Sequence, residues 1–380
     1  MNIFIRQAKI ILDESILEGD LSIINGTISA FNTELNPPND AIIIEAKGKY
    51  LSPAFFDIHT HGTCGADFSS GKIEDFEIIA KQKLSEGVSH ILPTSLCMPI
   101  DGLKKFMQTA KEYASQNKYA KIEAVHLEGS FIATEMCGAQ NKEYCRACNL
   151  EEIDALSKIF KIAKISYSLE QDLQSNFVKA LIDRNIVPSL AHSNANFKQV
   201  ESAYNLGLRN ITHFFNRCSP MTHRDLGVVG AGLYFQDIYL ELILDLVHVD
   251  KKALELVLNI KDKSKLIAIT DSILIANMPE SVYDMAGVKV SLKDNVAKIY
   301  GTDNLAGSTL KMNDSLKNLV EELGLSLPLA VKLLSENPAK SLNMQSNAIA
   351  TGSLANLTLF NEAFKVSLTI VDGLIKYKNL

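Results

Sequence analysis

The strongest constraint on this chain's fold is an alternation that runs through its middle. Short apolar runs near residues 53–59, 88–95, 122–128, 164–170, 186–192, 209–214, 239–248 and 265–271 are separated by stretches with helical spacing. A strand reaches a parallel neighbour only through a long crossover, and a helix is the ordinary one. Eight such alternations predict an α/β chain with a (β/α)8 TIM-type barrel, whose C-terminal strand ends build one functional face. The helical spacing is seen in Leu173, Phe177, Ala180 and Leu181, and in Leu316, Leu319, Val320 and Leu323 before Gly324 as a stop.

Both ends of the chain read differently. Apolar runs over 3–12 and 21–24, the pair Asn25-Gly26, and 27–30 make a hairpin signal, because Asn-Gly supplies the two left-handed positions of a type I′ turn. The last thirty residues repeat the style, with Leu357–Phe360, Val366–Val371, the turn pair Asp372-Gly373 and 374–375. We expect residues 1–50 and 346–380 to form one small β-sandwich domain, and 51–345 to form the barrel.

Composition removes several classes of partner. The net charge is −6, and no Lys/Arg-rich run gives a footprint for nucleic acid or an anionic membrane. Met1 to Arg6 lacks the features of a signal peptide, and no uncharged apolar run approaches the roughly 18 residues of a membrane span. Six cysteines are too few for a disulfide scaffold, so they read as reduced thiols and the expected address is the cytoplasm.

The eight histidines are informative by position. His59 and His61 end the first strand, His192 the fifth, His213 the sixth and His248 the seventh. On a strand, His59-Thr60-His61 points both imidazoles to one side, which suits Zn²⁺ or Fe²⁺. An isolated pair of this kind is more often structural, but this one does not stand alone. Glu128 ends the third strand, where a carboxylate is costly unless paired or coordinated, and it can ligate one metal or bridge two. Seen alone, it could equally be a surface residue at a loop mouth. His192 and His213 lie about one strand-plus-helix unit apart, so they can point at one place from neighbouring strands. Asp271 ends the eighth strand after an apolar run and is a natural general base, then acid; its bland reading is a helix N-cap.

Taken in order, these segments resemble a known family, the N-acetylglucosamine-6-phosphate deacetylases of the metal-dependent amidohydrolase superfamily. The resemblance is carried by Asp57-Ile58-His59-Thr60-His61-Gly62, His126-Leu127-Glu128-Gly129, Ala191-His192-Ser193-Asn194 and Thr212-His213-Phe214-Phe215-Asn216. It continues in His223-Arg224-Asp225-Leu226-Gly227, Asp245-Leu246-Val247-His248, Thr270-Asp271 and Leu305-Ala306-Gly307-Ser308. It implies that Glu128, His192 and His213 hold the main divalent metal, zinc first and iron second, and that Asp271 is the catalytic acid/base. It further implies that His248 supports the reacting amide, that Asn216 contacts substrate, and that Arg224 grips a phosphate across a homodimer interface. Ala139, Leu305, Ala306 and Gly307 complete the implied substrate contacts. Members differ at the His-x-His position, and a chain with both His59 and His61 is expected to be capable of holding two ions.

Three positions depart from the family pattern. Gln140 stands where a histidine is expected to contact substrate, Ser130 where proline is usual, and Arg217 follows Asn216 where a small residue is usual. Gln140 can hydrogen-bond but cannot become cationic. Arg217 adds a second phosphate contact or crowds the pocket. Cys145-Arg146-Ala147-Cys148 has the spacing of half a zinc ribbon, but no second pair completes four ligands, so these are read as loop residues. Cys64, three residues past His61, is a weaker candidate ligand. The enzyme alternatives are action on another N-acyl sugar phosphate, such as the galactosamine epimer, or on a cyclic amide. A cyclic-amide enzyme would often carry a carbamylated lysine on the fourth strand, and residues 165–170 offer none. A catalytically inactive metal-binding homologue is the non-enzyme reading.

Overall fold

The computed structural model describes residues 2–285 and 287–379 of the 380-residue chain. Eight parallel strands form the central sheet: Phe55–Thr60, Val88–Ser95, Val125–Glu128, Ile162–Tyr167, Val187–Leu190, Asn210–Ile211, Tyr239–Ile243 and Leu266–Ile269. Each pairs with the next in sequence, the order of a (β/α)8 barrel. The barrel closes between the eighth and first strands through the Asp271 N–H donating to the His59 carbonyl at 2.9 Å. The eight-stranded barrel expected from the alternation is therefore the fold.

The strand sequences show which side chains face the lumen. On the fourth strand Lys164 and Ser166 alternate with Ile165 and Tyr167, and every one of these is buried. Apolar members pack outward under helices such as Ile73–Leu84 and Ile100–Ala114, while inward members include Thr94, His126, Ser189, Thr212 and Glu241. This polar lumen is hydrogen-bonded. Ser189 Oγ and Ser166 Oγ each lie 2.6 Å from Thr212 Oγ1, Ser166 Oγ lies 2.7 Å from His126 Nε2, and His126 Nδ1 lies 3.2 Å from Thr94 Oγ1. Paired in this way, the lumen avoids the cost of orphaned buried polar groups and gives the site above it a fixed floor.

Helix boundaries follow local chemistry. Asn196 and Gln199 form a reciprocal capping box at the start of Phe197–Asn205, and Asn149 caps Leu150–Ser157. One expected helix start is corrected: Leu173 lies outside the helix, which runs Phe177–Ile182, and is 79% exposed. Its apolar character matched the helical spacing by coincidence, since the helix begins only after the Asp172 carboxylate accepts the Phe177 N–H. The Leu316–Leu323 stretch begins as Met312–Lys317, continues as a π-helical segment Asn318–Glu322, and ends before Gly324 at φ 72°.

Both chain ends join one eight-stranded sheet. Tyr50–Pro53 runs parallel to Ile3–Ile11 and antiparallel to Leu357–Phe360, so the sheet reaches a few residues past position 50. The turns at Asn25-Gly26 and Asp372-Gly373 have φ of 51° and 83°, and 47° and 74°, as a type I′ pair needs. The sheet curls until these turns touch, and a Cβ on Gly373 would lie 2.1 Å from Gly26 Cα. It encloses its own core of Ile3, Ile5, Ile10, Leu21, Ile23, Leu357, Leu368 and Ile370. A further three-stranded unit, Ser281–Met285, Val288–Lys293 and Val296–Ile299, follows the eighth strand and stands beside the barrel mouth.

Candidate active site

The C-terminal strand ends bring six ionisable side chains to one place. His59 and His61 leave the first strand, Glu128 ends the third, and His192, His213 and Asp271 each sit two residues past the fifth, sixth and eighth. His192, His213 and Asp271 have φ of 46°, 31° and 50°, a left-handed backbone that side chains other than glycine adopt at a cost of order 1–3 kcal/mol. Surrounding bonds hold these turns. The Asp271 carbonyl accepts from the Ser308 N–H, and the Glu170 carboxylate accepts from the Ser193 hydroxyl and the Asn194 N–H.

Glu128 is the hub. Its Oε1 lies 3.0 Å from His213 Nε2, 3.6 Å from His192 Nε2 and 3.4 Å from His59 Nε2, and its Oε2 lies 3.2 Å from His61 Nε2. Two groups result, His59–His61–Glu128 and Glu128–His192–His213, each with ligand atoms within 4.8 Å of one another. Asp271 Oδ1 lies 3.3 Å from His59 Nε2 and 3.4 Å from His61 Nε2.

The outward ring nitrogens of three of the four histidines are anchored, while that of His213 is buried without a hydrogen-bond partner. His59 Nδ1 faces Glu241 Oε2 at 3.3 Å, His61 Nδ1 the Thr94 carbonyl at 3.2 Å, and His192 Nδ1 the Met136 carbonyl at 2.8 Å. An acceptor on Nδ1 assigns the proton there and leaves the Nε2 lone pair pointing inward. Glu128 Oε1 is buried without a hydrogen-bond donor and faces these lone pairs. Imidazole and carboxylate lone pairs converging on one buried point form the donor set of a divalent cation.

Without an ion, protons take its role. Burial opposes charge on His59 and His61, but Glu128 and Asp271 outweigh it and raise them to about 9 and about 10. Burial likewise opposes charge on Glu128 and Asp271, yet the neighbouring histidines, His59 foremost, lower both carboxyls.

Above these groups lies a cavity of about 320 Å³. It is lined by His61, Glu128, His192, His213, His248 and Asp271, with Ala139, Gln140, Asn216, Arg217, Leu305 and Gly307 around them. Two expected substrate contacts do not line it. Ala306 is fully buried, packed with Ile273, Val290 and Ala297, because its N–H is tied to the Ala297 carbonyl. Arg224 is exposed on the loop before Gly227–Tyr234, its Nε 3.2 Å from His223 Nε2. Gln140 reaches Glu128 Oε2 with its Nε2 at 2.8 Å, while its Oε1 accepts the Cys97 N–H at 2.8 Å. Cys64 belongs to neither ligand group. The Asp271 carboxylate faces His59 and His61, where the bland reading made it a helix cap.

Sequence reasoning left several neighbours unassigned. Asp245 Oδ2 lies 2.7 Å from His248 Nδ1 and raises the imidazole against the effect of burial. Met285, Asp303 and Asn304, from the three-stranded unit and the segment after it, line one side of the cavity. Their distance in sequence from the histidine motifs hid them. The fourth strand also carries a lysine, Lys164, one residue before 165–170; its ammonium is ion-paired to Glu241 in the lumen and so committed.

A barrel whose strand ends carry this donor set, with a carboxylate beside it, defines a metal-dependent hydrolase. The Amidohydrolase family model matches residues 50–376, and the chain belongs to that family. The N-acetylglucosamine-6-phosphate deacetylase of Bacillus subtilis is 29% identical, over 99% of this chain and 97% of that protein. The N-acetylgalactosamine-6-phosphate deacetylase of Escherichia coli O157:H7 is 26% identical, over 97% and 98%. The crystal structure of the N-acetylglucosamine-6-phosphate deacetylase of Pasteurella multocida superposes with a TM-score of 0.93 at 29% identity, covering 99% of this chain and 100% of that one.

Proposed function

We propose that this protein hydrolyses the acetamide of N-acetylglucosamine 6-phosphate, releasing acetate and glucosamine 6-phosphate. The observation that carries this reading is the convergence of Glu128, His59, His61, His192 and His213 beside Asp271 at the floor of a cavity that also holds Arg217. The full-length similarity to deacetylases of amino-sugar phosphates supports it.

Glu128, His192 and His213 would hold the main ion, and His59, His61 and Glu128 a second. A divalent ion bound there would supply Lewis acidity to the acetamide carbonyl and lower the pKa of a water. Asp271, held ionised by His59 and His61, takes the proton of the attacking water and later delivers it to the departing amine, so the C–N bond breaks with the nitrogen leaving neutral. His248, fixed by Asp245, donates toward charge building on the carbonyl oxygen. Asn216, Arg217, Gln140 and the backbone at Ala139, Leu305 and Gly307 border the sugar, and Arg217 offers the planar fork that matches a phosphate.

Zinc is the proposed ion, with iron second. We assign the protein to the cytoplasm, where its six unpaired cysteines stay reduced. Arg224 stands outside the cavity, so its proposed grip on the phosphate needs a second copy of the chain to present it; light scattering and Arg224→Ala kinetics test this homodimer. No helix among the described residues is long and apolar enough to cross a membrane.

The deciding experiment is acetate release by metal-reconstituted protein from N-acetylglucosamine 6-phosphate, run beside the unphosphorylated sugar and the galactosamine 6-phosphate epimer. Turnover confined to the phosphorylated glucosamine form supports the proposal. Faster turnover of the epimer moves the substrate to the galactosamine series, and no release from metal-loaded protein removes the reading.

A further inference from the structure

Behind the site, on the side away from the cavity, a second cluster of charges has no part in the chemistry above. Lys83, in the helix Ile73–Leu84, is wholly buried. Its ammonium lies 3.0 Å from Asp57 Oδ2, 3.1 Å from both Thr270 Oγ1 and Ser272 Oγ, and 3.3 Å from Glu86 Oε2. Asp57 and Glu86 are 0% and 1% exposed. Two carboxylates and one ammonium out of water are an expensive arrangement. Apolar residues of similar volume in such places are often as stable or more so, so stability alone is a weak reason for it.

Its place in the barrel gives a better reason. The strand ladder runs continuously from the first strand to the eighth, and no ladder among the described residues joins the eighth back to the first. That seam carries His59 and His61 on one side and Asp271 on the other. A few bonds cross it: Asp271 N–H to the His59 carbonyl, His61 and Gly62 N–H to the Ser272 carbonyl, and Thr270 N–H to Asp57 Oδ1. The lysine cluster fills the rest. Thr270 Oγ1 donates to Asp57 Oδ2 at 2.6 Å, and Ser272 Oγ is 2.8 Å from Thr60 Oγ1 and 3.0 Å from the Gly62 carbonyl. Every acceptor of the ammonium except Glu86 is within two residues of His59, His61 or Asp271. Glu86 in turn accepts the Met312 N–H, tying the cluster to the helix Met312–Lys317.

We propose that Lys83 is a positioning residue of the active site: by binding Asp57 on the first strand and Thr270 and Ser272 beside the eighth, it sets where Asp271 stands relative to His59 and His61. This rests on the reading of those three as working residues. A shift of about 1 Å in such a relation lowers turnover by up to about 100-fold while leaving remote substrate contacts intact.

The test is Lys83→Met in the full chain. In the cobalt(II)-loaded protein, the visible absorption bands report the geometry of the ligand set whatever the substrate is. We expect a folded protein whose cobalt spectrum differs from wild type, and whose kcat for N-acetylglucosamine 6-phosphate falls about 10–100-fold with KM changed by less than about twofold. A folded variant with a lowered Tm but wild-type spectrum and kcat would make Lys83 structural only and overturn the proposal. Lys83→Arg keeps the charge but cannot set a compact ammonium at the same four contacts, and it decides the matter if the methionine variant does not fold. A smaller change of the same kind supports the proposal and an unchanged spectrum overturns it. If wild-type protein releases no acetate, the substrate assignment fails, and the cobalt spectrum still decides on Lys83.

Discussion

At the scale of residues, His59, His61 and His192 have the outer ring nitrogen committed so that the inner one is free. The Asp271 carboxylate faces His59 and His61 and borders the cavity. Asp271→Asn keeps the volume and removes the proposed proton acceptor. We expect metal content and Tm close to wild type with kcat lowered by about 10²–10⁴-fold, measured as acetate release at saturating substrate. A rate near wild type would take Asp271 out of the proton path. His248 depends on Asp245 for its orientation and raised pKa. Asp245→Asn should therefore lower kcat/KM by up to about 100-fold with metal content unchanged, and loss of bound metal in that variant would place Asp245 in a different role.

At the scale of elements, six of the eight strands, the first, third, fifth, sixth, seventh and eighth, bring a residue of the site to their C-terminal ends. Phe197–Asn205 follows the His192 turn and starts from the Asn196–Gln199 capping box. Asn196→Ala removes a cap worth about 1 kcal/mol, so the urea midpoint should fall by the corresponding amount while the affinity for zinc stays within about twofold. A large loss of zinc affinity would mean that this cap orders the ligand turn as well as the helix. The three-stranded unit after the eighth strand acts differently, as a wall. It contributes Met285 to the cavity and packs Val290 and Leu292 against Ile273 and Ile275 in a core of its own.

At the scale of the whole molecule, the histidine–carboxylate cluster couples stability to pH. His59 and His61 are raised from 6.5 to about 9 and about 10. A histidine raised in the folded state contributes stability that is complete below pH 6.5 and is lost as pH rises through its folded value. Glu128 and Asp271 are lowered and stay ionised across that window, while His90, at about 4, and His126 release their protons below it. We expect the Tm of chelator-treated protein to fall from pH 6.5 to 10. The stabilisation by saturating zinc should grow over the same interval, because an ion replaces those protons. Thermal melts with and without zinc measure both slopes. Parallel slopes would show that the histidines are already neutral before an ion binds.

The barrel and the residues that converge at its mouth were legible in the sequence because both rest on local rules. A period of two places His59 and His61, or His126 and Glu128, on one side of a strand, and the alternation of strand with helix leaves few architectures for eight repeats. The turn pairs Asn25-Gly26 and Asp372-Gly373 are equally local, since their backbone geometry is a property of the residues themselves. What the sequence could not yield depends on contacts between distant segments. That Gln140 binds Glu128, that Glu241 anchors His59, that Ala306 turns into a core, and that Arg224 stands outside the cavity follow from how separate units pack. The seam cluster is the clearest case: Lys83, Asp57 and Thr270 are unremarkable in their own segments and acquire meaning only where the eighth strand meets the first. Local propensity fixes which residues reach a strand end, whereas closure of the barrel decides which strand ends face one another.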